Sequence, residues 1–362
     1  SYLAITVHRR VLWFSVPAQA LHVLPVFFAA HVVALVARLA AGGMFPGWAV
    51  LLAPALIAPL AGLRLVSLWS MSAFTLLPVM LLSSPRVALT RREAAPAALA
   101  DVELAHGRMY VASLRGLSDA LTEEVQAGGP THSALDPDTS MNVHTWQAAL
   151  RSAGAALEAT DAVLAGELEN AFCATRPPGH HACHDKAMGF CFFNNVAIAA
   201  KYAVERHGLQ RVAIVDFDVH HGNGTEDIVA GDDRILMVSF YQHPFYPEGG
   251  ALKHDANLVN LPVPAYTKGM DIRELIDMIW MPRLEAHRPE LIFISAGFDA
   301  HREDDMGQLG LVEQDYVWIT QRIKDVADKY AHGKIVSCLE GGYNLSALAR
   351  SVEAHIRVLA NV

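Results

Sequence analysis

Acidic and imidazole side chains with metal-ligand spacing follow one apolar stretch of the chain. Residues 211–217 read RVAIVDF, and Asp216, Asp218 and His220 then occur two residues apart. On an extended backbone, residues with this spacing project to one side. Asp299 follows another apolar stretch, so Asp218, His220 and Asp299 offer the three nitrogen and oxygen ligands of a catalytic zinc site, which keeps a fourth position open. The alternative role for acids at strand ends is to bind a structural cation or to cap a helix.

A second cluster of reactive groups precedes the first. The sequence RPPGHH at 176–181 places His180 and His181 side by side in a loop that its prolines stiffen. Imidazole is the usual general base near neutral pH, so this pair is a candidate for proton transfer. The stretch GFCFFNN (189–195) follows, and Phe190 is interpreted either as core or as the wall of a narrow apolar channel.

These groups need a scaffold that brings several strand ends together. Continuously apolar runs, typical of parallel strands covered on both faces, alternate with helical patterns. The strand-like runs are 211–217, 235–240, 291–295 and 334–339, and the helical patterns are 101–117, 145–165, 271–286 and 312–330. This rhythm predicts an α/β fold with a single open parallel sheet and helices on both faces. Ligands bind such sheets outside the carboxyl ends of the strands, where the candidate residues occur.

The first part of the chain has a different composition. Residues 1–92 contain seven arginines but no Asp, Glu or Lys, which leaves 21 of the 28 basic residues against all 37 acids in 93–362, a net charge of −16. Apolar runs cover 11–37, 45–63 and 65–85, and the last two are long enough to cross a bilayer.

We therefore expect residues 1–88 to form an apolar helical segment and residues 89–362 to form a catalytic domain. Three interpretations of 1–88 stay open: transmembrane helices that anchor the protein, a non-native stretch from a misjoined or mistranslated reading frame, and a buried helical layer.

Charge and cysteine content narrow the classes of function. The formal net charge of −9 and the pI of about 6.0 argue against direct nucleic-acid binding, which needs a basic surface. The four cysteines show no CxxC pair and no disulfide-like spacing, which indicates a reducing compartment. We expect a cytoplasmic catalytic domain, with membrane association if residues 1–88 are an anchor.

Five motifs in order resemble the zinc-dependent histone deacetylase family, on its class II-like and bacterial amidohydrolase side, within the arginase/deacetylase superfamily. They are RPPGHHA (176–182), GFCFFNN (189–195), DFDVHHGNGT (216–225), SAGFDAH (295–301) and EGGYN (340–344). The resemblance extends over residues 95–362. It implies zinc-dependent hydrolysis of an acetyl-lysine-type amide, in a protein, a peptide or an acetylated small amine, that releases acetate and a free amine.

The resemblance also implies roles for the candidate residues. Asp218, His220 and Asp299 match the zinc ligands, a donor set that also suits ferrous iron. The matches to the catalytic groups are His180 and His181 as the histidine pair, Asp216 and Asn223 as their partners, and Tyr343 as the tyrosine that polarises the substrate carbonyl. We interpret His181 as the base that deprotonates water and then protonates the leaving amine.

Two further sets of residues are implied in the same way. The substrate tunnel would be lined by Gly189, Phe190, Tyr246 and Met306, with Asp138 as the acid that holds the substrate backbone. A structural potassium ion would lie at backbone carbonyls near Asp216, Asp218 and His220, with Ser239 as its side-chain ligand.

Three alternatives remain. A binuclear manganese hydrolase of the arginase type needs more bridging ligands than one DxH and one further Asp. An acetylpolyamine amidohydrolase would benefit from an acid at the tunnel mouth; Met306 stands there, with Glu303, Asp304 and Asp305 close in sequence, so lysine substrates are preferred. The family's N-terminal His-Pro-Glu-x-Pro-x-Arg motif has no match in residues 1–92, and the third alternative is a catalytically impaired, membrane-tethered binding protein.

Overall fold

Two sheets and nine α-helices make up the part of the chain that the structure describes. The computed structural model describes residues 2–7 and 10–15, as backbone strands, and residues 91–247 and 255–362 in full. The strands are β1 Tyr2–Val7, β2 Arg10–Ser15, β3 Ser133–Ala134, β4 Ser140–Met141, β5 Asn170–Ala174, β6 Val212–Asp216, β7 Ile235–Gln242, β8 Leu258–Val263, β9 Leu291–Ala296 and β10 Ile335–Leu339. The helices are α1 Leu99–Val102, α2 Arg108–Gln126, α3 Thr145–Leu164, α4 Asn195–Glu205, α5 Asn223–Val229, α6 Gly269–Leu275, α7 Met281–His287, α8 Glu313–Tyr330 and α9 Leu345–Leu359, with a π-helical turn, Ile276–Trp280, between α6 and α7.

The main sheet is parallel except at one edge. Its strand order is β1-β2-β5-β10-β9-β6-β7-β8, and β1 pairs antiparallel with β2 whereas the other neighbours are parallel. The short strands β3 and β4 form a separate hairpin. Every residue of β5, β6, β7, β9 and β10 is buried, as expected for strands covered on both faces. This confirms the predicted α/β fold with one parallel sheet.

Helices cover the two faces of this sheet. On one face, Cys173 of β5 and Val336 of β10 pack with Val196 of α4 and alanines of α3 in a single apolar core. On the other face, the ring of Phe172 contacts His355 of α9, 5.6 Å between ring centroids. Because neighbouring residues of a strand point to opposite faces, Phe172 and Cys173 connect the two layers.

The prediction of one continuous helix at 101–117 is wrong, because the chain forms two helices there. The structure ends α1 at Val102 and begins α2 at Arg108. Between them His106 is buried, with Nδ1 3.0 Å from the carbonyl oxygen of Cys183 and Nε2 accepting the N–H of Asn194 at 2.9 Å. These contacts replace a helical turn. The predicted helix 271–286 is likewise divided by the π-helical turn, whereas 145–165 and 312–330 agree with α3 and α8 to within a residue.

The apolar segment predicted as helical begins with strands. Residues 2–7 and 10–15 form β1 and β2, and β2 pairs with β5 at the edge of the sheet. Their sequences, YLAITV and RVLWFS, are rich in β-branched and aromatic residues, which favour strands. The apolar runs 45–63 and 65–85 lie outside the described residues, so their role as an anchor stays a prediction. Within the described residues, the structure contains no helix with the length and apolarity needed to cross a membrane.

Candidate active site

The ends of four neighbouring strands carry the candidate residues. β5, β10, β9 and β6 lie side by side, and their carboxyl ends lead to His180 and His181, to Tyr343, to Asp299 and to Asp218 and His220. Because parallel strands end at the same edge of a sheet, residues more than 100 positions apart meet there.

Asp218, His220 and Asp299 form a buried three-ligand cluster. One ligand atom from each side chain lies within 4.8 Å of the others. Backbone groups orient the carboxylates: Asp218 Oδ2 accepts the N–H of Gly341 at 2.8 Å, and Asp299 Oδ1 accepts the N–H of Val219 at 2.9 Å. The buried Asp299 Oδ2 lies 3.2 Å from His220 Nδ1, so the three side chains direct their ligand atoms towards one another.

The electrostatics of this cluster suit a divalent cation. Burial, together with the charge of Asp218, raises the pKa of Asp299 to about 6. Two carboxylates in one desolvated site repel each other, and a bound cation relieves that repulsion. Two carboxylates and one imidazole are a donor set that zinc accepts. Within the described residues this is one group of three ligands, so the structure supports a mononuclear centre rather than a binuclear one.

Gly341 is required by the closeness of the backbone to the cluster. A Cβ on Gly341 would overlap Asp299 Oδ2 and lie 2.7 Å from Asp218 Oδ2. Only glycine lets the chain after β10 approach two ligands this closely. The EGGY sequence therefore contributes to the site in two ways: Gly341 leaves space for the ligands, and Tyr343 supplies a hydroxyl.

The two adjacent histidines have different partners. His180 Nδ1 lies 3.0 Å from Asp216 Oδ2, whereas His181 Nδ1 lies 2.8 Å from the amide oxygen of Asn223. An amide oxygen only accepts, so Asn223 requires the proton on His181 Nδ1 and leaves Nε2 as a proton acceptor.

The surroundings of His180 and His181 shift their pKa values in opposite directions. Burial lowers the pKa of His180, but the carboxylates of Asp218 and Asp216 outweigh it and hold the pKa well above its usual value. The pKa of His181 is lowered by burial and by the neighbouring charge of His180. The carboxylate of Asp216 thus favours the charged form of His180, whereas Asn223 favours a neutral His181 whose Nε2 is a candidate general base.

Tyr343 projects from the loop between β10 and α9. Asn344 caps α9 by accepting the N–H of Ala347 at 3.0 Å, which fixes the chain directly after Tyr343. Burial and the charges of Asp299 and Asp218 raise the pKa of Tyr343, so its hydroxyl stays protonated at neutral pH and acts as a donor.

The predicted tunnel residues Phe190 and Tyr246 contact Tyr343 and His181, respectively. The ring of Phe190 lies 6.3 Å from that of Tyr343, and Tyr246 meets His181 edge-on at 5.2 Å between centroids. Phe190 and Gly189 both have left-handed backbone angles, φ 64° and 56°. A Cβ on Gly189 would overlap the His181 ring, so glycine is needed there for space as well as for conformation.

Asp138 lies beside these residues. Its Oδ1 accepts the Thr139 hydroxyl at 2.7 Å and the N–H of Gly189 at 3.2 Å. Burial raises the pKa of Asp138, but its hydrogen bonds outweigh this effect and the net shift is downward. An ionised acid at the aromatic rim agrees with the predicted contact to a substrate backbone, which stays a prediction.

The three acids close in sequence to Met306 have different surroundings in the structure. Met306 is 40% exposed. Asp304 turns inward, is buried, and accepts the backbone N–H groups of Tyr343 and Asn344. Glu303 is paired with Arg350 at 2.9 Å. Asp305 stays exposed. Two of the three acids are therefore engaged in protein contacts.

Glu340 was not assigned a role from the sequence. Its buried carboxylate accepts the N–H of Gly179 at 2.6 Å, the N–H of His180 at 3.2 Å and the hydroxyl of Ser295 at 3.1 Å. Burial raises the pKa of Glu340 to about 7. The acid follows a buried strand, which is the signal that could have identified it; it connects the histidine loop to the strand that leads to Tyr343.

Comparisons with known proteins agree with this geometry. The sequence profile described as "Histone deacetylase domain" matches residues 73–359. The chain belongs to the histone deacetylase family. It is 42% identical over 245 residues to the type-2 histone deacetylase 2 of Dictyostelium discoideum, covering 61% of this chain and 14% of that protein. It is 38% identical over 263 residues to the histone deacetylase-like amidohydrolase of Pseudomonas aeruginosa, covering 71% and 67%.

A solved structure supports the same assignment. The crystal structure of the HDA15 HD domain superposes with a TM-score of 0.71 at 31% identity, covering 80% of this chain and 81% of that one. The chain spans between 14% and 67% of the two curated relatives' lengths. The histone deacetylase family is zinc-dependent, and Asp218, His220 and Asp299 are the described residues able to hold that ion.

Proposed function

We propose that this member of the histone deacetylase family hydrolyses acetyl-lysine-type amides with a single zinc ion held by Asp218, His220 and Asp299. The observation that carries the proposal is the meeting of this buried ligand cluster with a neutral His181 and a protonated Tyr343. A zinc ion there supplies Lewis acidity, which makes water acidic near neutral pH and polarises the amide carbonyl. Ferrous iron fits the same donors and is the alternative metal.

The protein's own groups perform the proton transfers. His181 Nε2 accepts a proton from the water whose oxygen adds to the carbonyl carbon. The Tyr343 hydroxyl donates a hydrogen bond to the carbonyl oxygen as negative charge develops on it. His181 then gives its proton to the amide nitrogen as the carbon–nitrogen bond breaks, releasing acetate and a free amine. His180 keeps its proton through Asp216 and stabilises the negative charge.

A structural potassium ion is part of the proposal. Asp216 of β6 and Ser239 of β7 are direct partners in the register of the sheet, which supports a shared environment for the family's potassium ligands. The carbonyls near Asp216, Asp218 and His220 would complete that site. We also propose the cytoplasm as the location of the catalytic domain, on the cysteine spacing alone.

Metal analysis combined with turnover tests the proposal. The whole chain, loaded with zinc, is assayed on an acetyl-lysine peptide and on N-acetylputrescine, alongside Asp299→Ala, Tyr343→Phe and the exposed control Asp305→Asn. We expect one zinc per chain, hydrolysis of the peptide, loss of zinc in Asp299→Ala and loss of turnover with retained zinc in Tyr343→Phe.

Two outcomes would favour the alternatives. A strong preference for N-acetylputrescine would identify a polyamine amidohydrolase, which the engagement of Glu303 and Asp304 in protein contacts disfavours. Full zinc occupancy without turnover of either substrate would identify a binding protein.

A further inference from the structure

A cavity lies beside the candidate active site. It has a volume of about 570 Å³ and is formed by the loop after β8 and the loop before α8. Its lining residues are Tyr266, Lys268, Arg302, Gly307, Gln308, Leu309 and Gly310. Backbone hydrogen bonds from Tyr266 to Gln308 and from Gly310 to Thr267 join the two loops, so the cavity has a defined floor.

The charges at this cavity are positive and available. Lys268 and Arg302 are both exposed. Among the described residues, neither forms an ion pair, whereas nearby arginines do: Arg273 pairs with Asp315 and Arg350 with Glu303. Residues 93–362 carry a net charge of −16, so a cavity lined by two cations and no acid is a local exception in an acidic domain. Clustered cations in a concavity concentrate anions.

Tyr266 adds an aromatic rim. Its side chain is 75% exposed, and its backbone is left-handed, φ 68°. Non-glycine residues in this conformation are uncommon and concentrate at functional sites. The exposed hydroxyl is a third donor for an anionic ligand.

One wall of the cavity packs against the backbone of the metal ligand Asp299. A Cβ on Gly307 would lie 2.6 Å from the carbonyl oxygen of Asp299, so this wall of the cavity packs directly against a metal ligand. Met306, the predicted tunnel-mouth residue, immediately precedes Gly307 in the chain. Gln308 is held in place by two hydrogen bonds with the buried Gln242, at 3.0 and 2.8 Å.

We propose that this cavity binds the carboxylate of an acidic residue that lies a few positions from the acylated lysine of a peptide substrate. Lys268 and Arg302 pair with the carboxylate while the acyl-lysine occupies the tunnel. The proposal rests on the proposed hydrolysis and names the substrates that the site selects: acylated peptides with an acidic flank. An extended peptide advances about 3.3 Å per residue, so an acid near the lysine reaches from the mouth into a neighbouring cavity.

Matched peptides test the site. Acetyl-lysine peptides with Glu or Gln at each flanking position are assayed with the wild-type chain, with Lys268→Gln/Arg302→Gln, and with the charge-matched remote control Arg115→Gln/Lys329→Gln. We expect KM for the best Glu peptide to be about three- to ten-fold lower than for its Gln partner at low salt, since exposed ion pairs contribute modestly. In Lys268→Gln/Arg302→Gln this ratio should fall to about one while kcat for the Gln peptide is unchanged. The proposal would be overturned if the wild-type KM of the Gln peptide equalled that of the Glu peptide at every position. It would also be overturned if Lys268→Gln/Arg302→Gln showed the same ratio of the two KM values as the control variant.

Binding of the same peptides, measured by fluorescence anisotropy, distinguishes failure of this proposal from failure of the proposed hydrolysis. Hydrolysis of both peptides with no Glu preference in binding or KM refutes the cavity site and leaves the activity standing. Tighter binding of the Glu peptide that depends on Lys268 and Arg302, with neither peptide hydrolysed, supports the site and refutes the activity.

Discussion

The buried carboxylate of Asp304 accepts the backbone N–H of Tyr343 at 2.6 Å. The same carboxylate accepts the N–H groups of Asn344 at 2.9 Å and Met306 at 3.0 Å. It therefore holds the loop that aims the tyrosine hydroxyl and the residue predicted at the tunnel mouth. We assign Asp304 a positioning role, through Tyr343 rather than through contact with substrate.

Asp304→Asn tests this role. The amide offers the two N–H groups one acceptor oxygen without charge, so we expect kcat to fall about ten-fold with KM nearly unchanged, because small displacements of catalytic groups are costly. Tyr343→Phe should lower kcat by about 10² to 10³-fold. Because Asp304 acts through Tyr343, the double variant should be no slower than Tyr343→Phe alone. Additive losses in steady-state kinetics, or an equal loss in Asp305→Asn, would contradict the assignment.

Gly341→Ala should damage the metal site without altering any ligand. The new Cβ would overlap Asp299 Oδ2 and displace that carboxylate or the backbone N–H that Asp218 accepts. We expect zinc affinity, measured by competition with a chelator, to fall at least ten-fold. Gly116→Ala is the control: it lies in α2 with open space around its Cβ, and it should bind zinc normally and gain about 0.5–1 kcal/mol of stability. Normal zinc affinity in Gly341→Ala would show that the loop can move away.

The contribution of His355 to stability should decrease as the pH falls below about 6.5. This ring is fully buried under the sheet between Thr320 and Ser337, and burial lowers its pKa from 6.5 to about 3. Between these two values the unfolded chain binds a proton that the native chain does not, so acidification favours unfolding. At pH 5 the loss from His355 amounts to roughly 2 kcal/mol relative to neutral pH.

Urea unfolding at pH 7.5 and pH 5 measures this effect. His355→Gln should be less stable at pH 7.5 but should lose about 2 kcal/mol less than wild type on acidification. The exposed His132→Gln should keep the wild-type pH dependence. An unchanged difference between the two pH values in His355→Gln would assign the acid sensitivity to other groups.

Asn257 should contribute strongly to the stability of the β6–β7 connection. Its buried side-chain nitrogen donates to the carbonyls of Val229 at 2.8 Å and Ile235 at 2.9 Å, and its oxygen accepts the N–H of Gly231 at 3.1 Å. Asn257→Ala removes these hydrogen bonds and leaves the N–H of Gly231 without its acceptor, at a cost of about 1–3 kcal/mol in the free energy of unfolding. The exposed neighbour Asp255→Ala should change it by less than about 0.5 kcal/mol. Equal stability of the two variants would mean that water replaces the amide.

The local sequence was sufficient to predict a strand where the chain has a continuous apolar run. β6, β7, β9 and β10 are runs of apolar residues with β-branched members, and they were predicted to within two residues. β5 and β8 were not predicted. The sequence of β5, NAFCA, contains no β-branched residue, and Asn260 and Pro262 interrupt the apolar pattern of β8.

The ligand cluster and histidine pair were predictable because motifs of reactive residues follow strand ends. The positioning roles of Asp304 and Glu340 were not predictable, because they depend on partners that are distant in sequence. Asp304 stands within a run of three acids that gives no sign of its role, because its partner Tyr343 is 39 residues away. Glu340 and the Gly179 N–H are separated by 161 residues. Only the assembled sheet reveals these pairs.

The place of β10 in the sheet has a consequence for biosynthesis. This strand is the last of the sheet in chain order, yet it inserts between β5 and β9 in the middle. A chain that ends after β9 would therefore lack the strand between β5 and β9 as well as Gly341 and Tyr343. We expect a product terminated before β10 to be inactive.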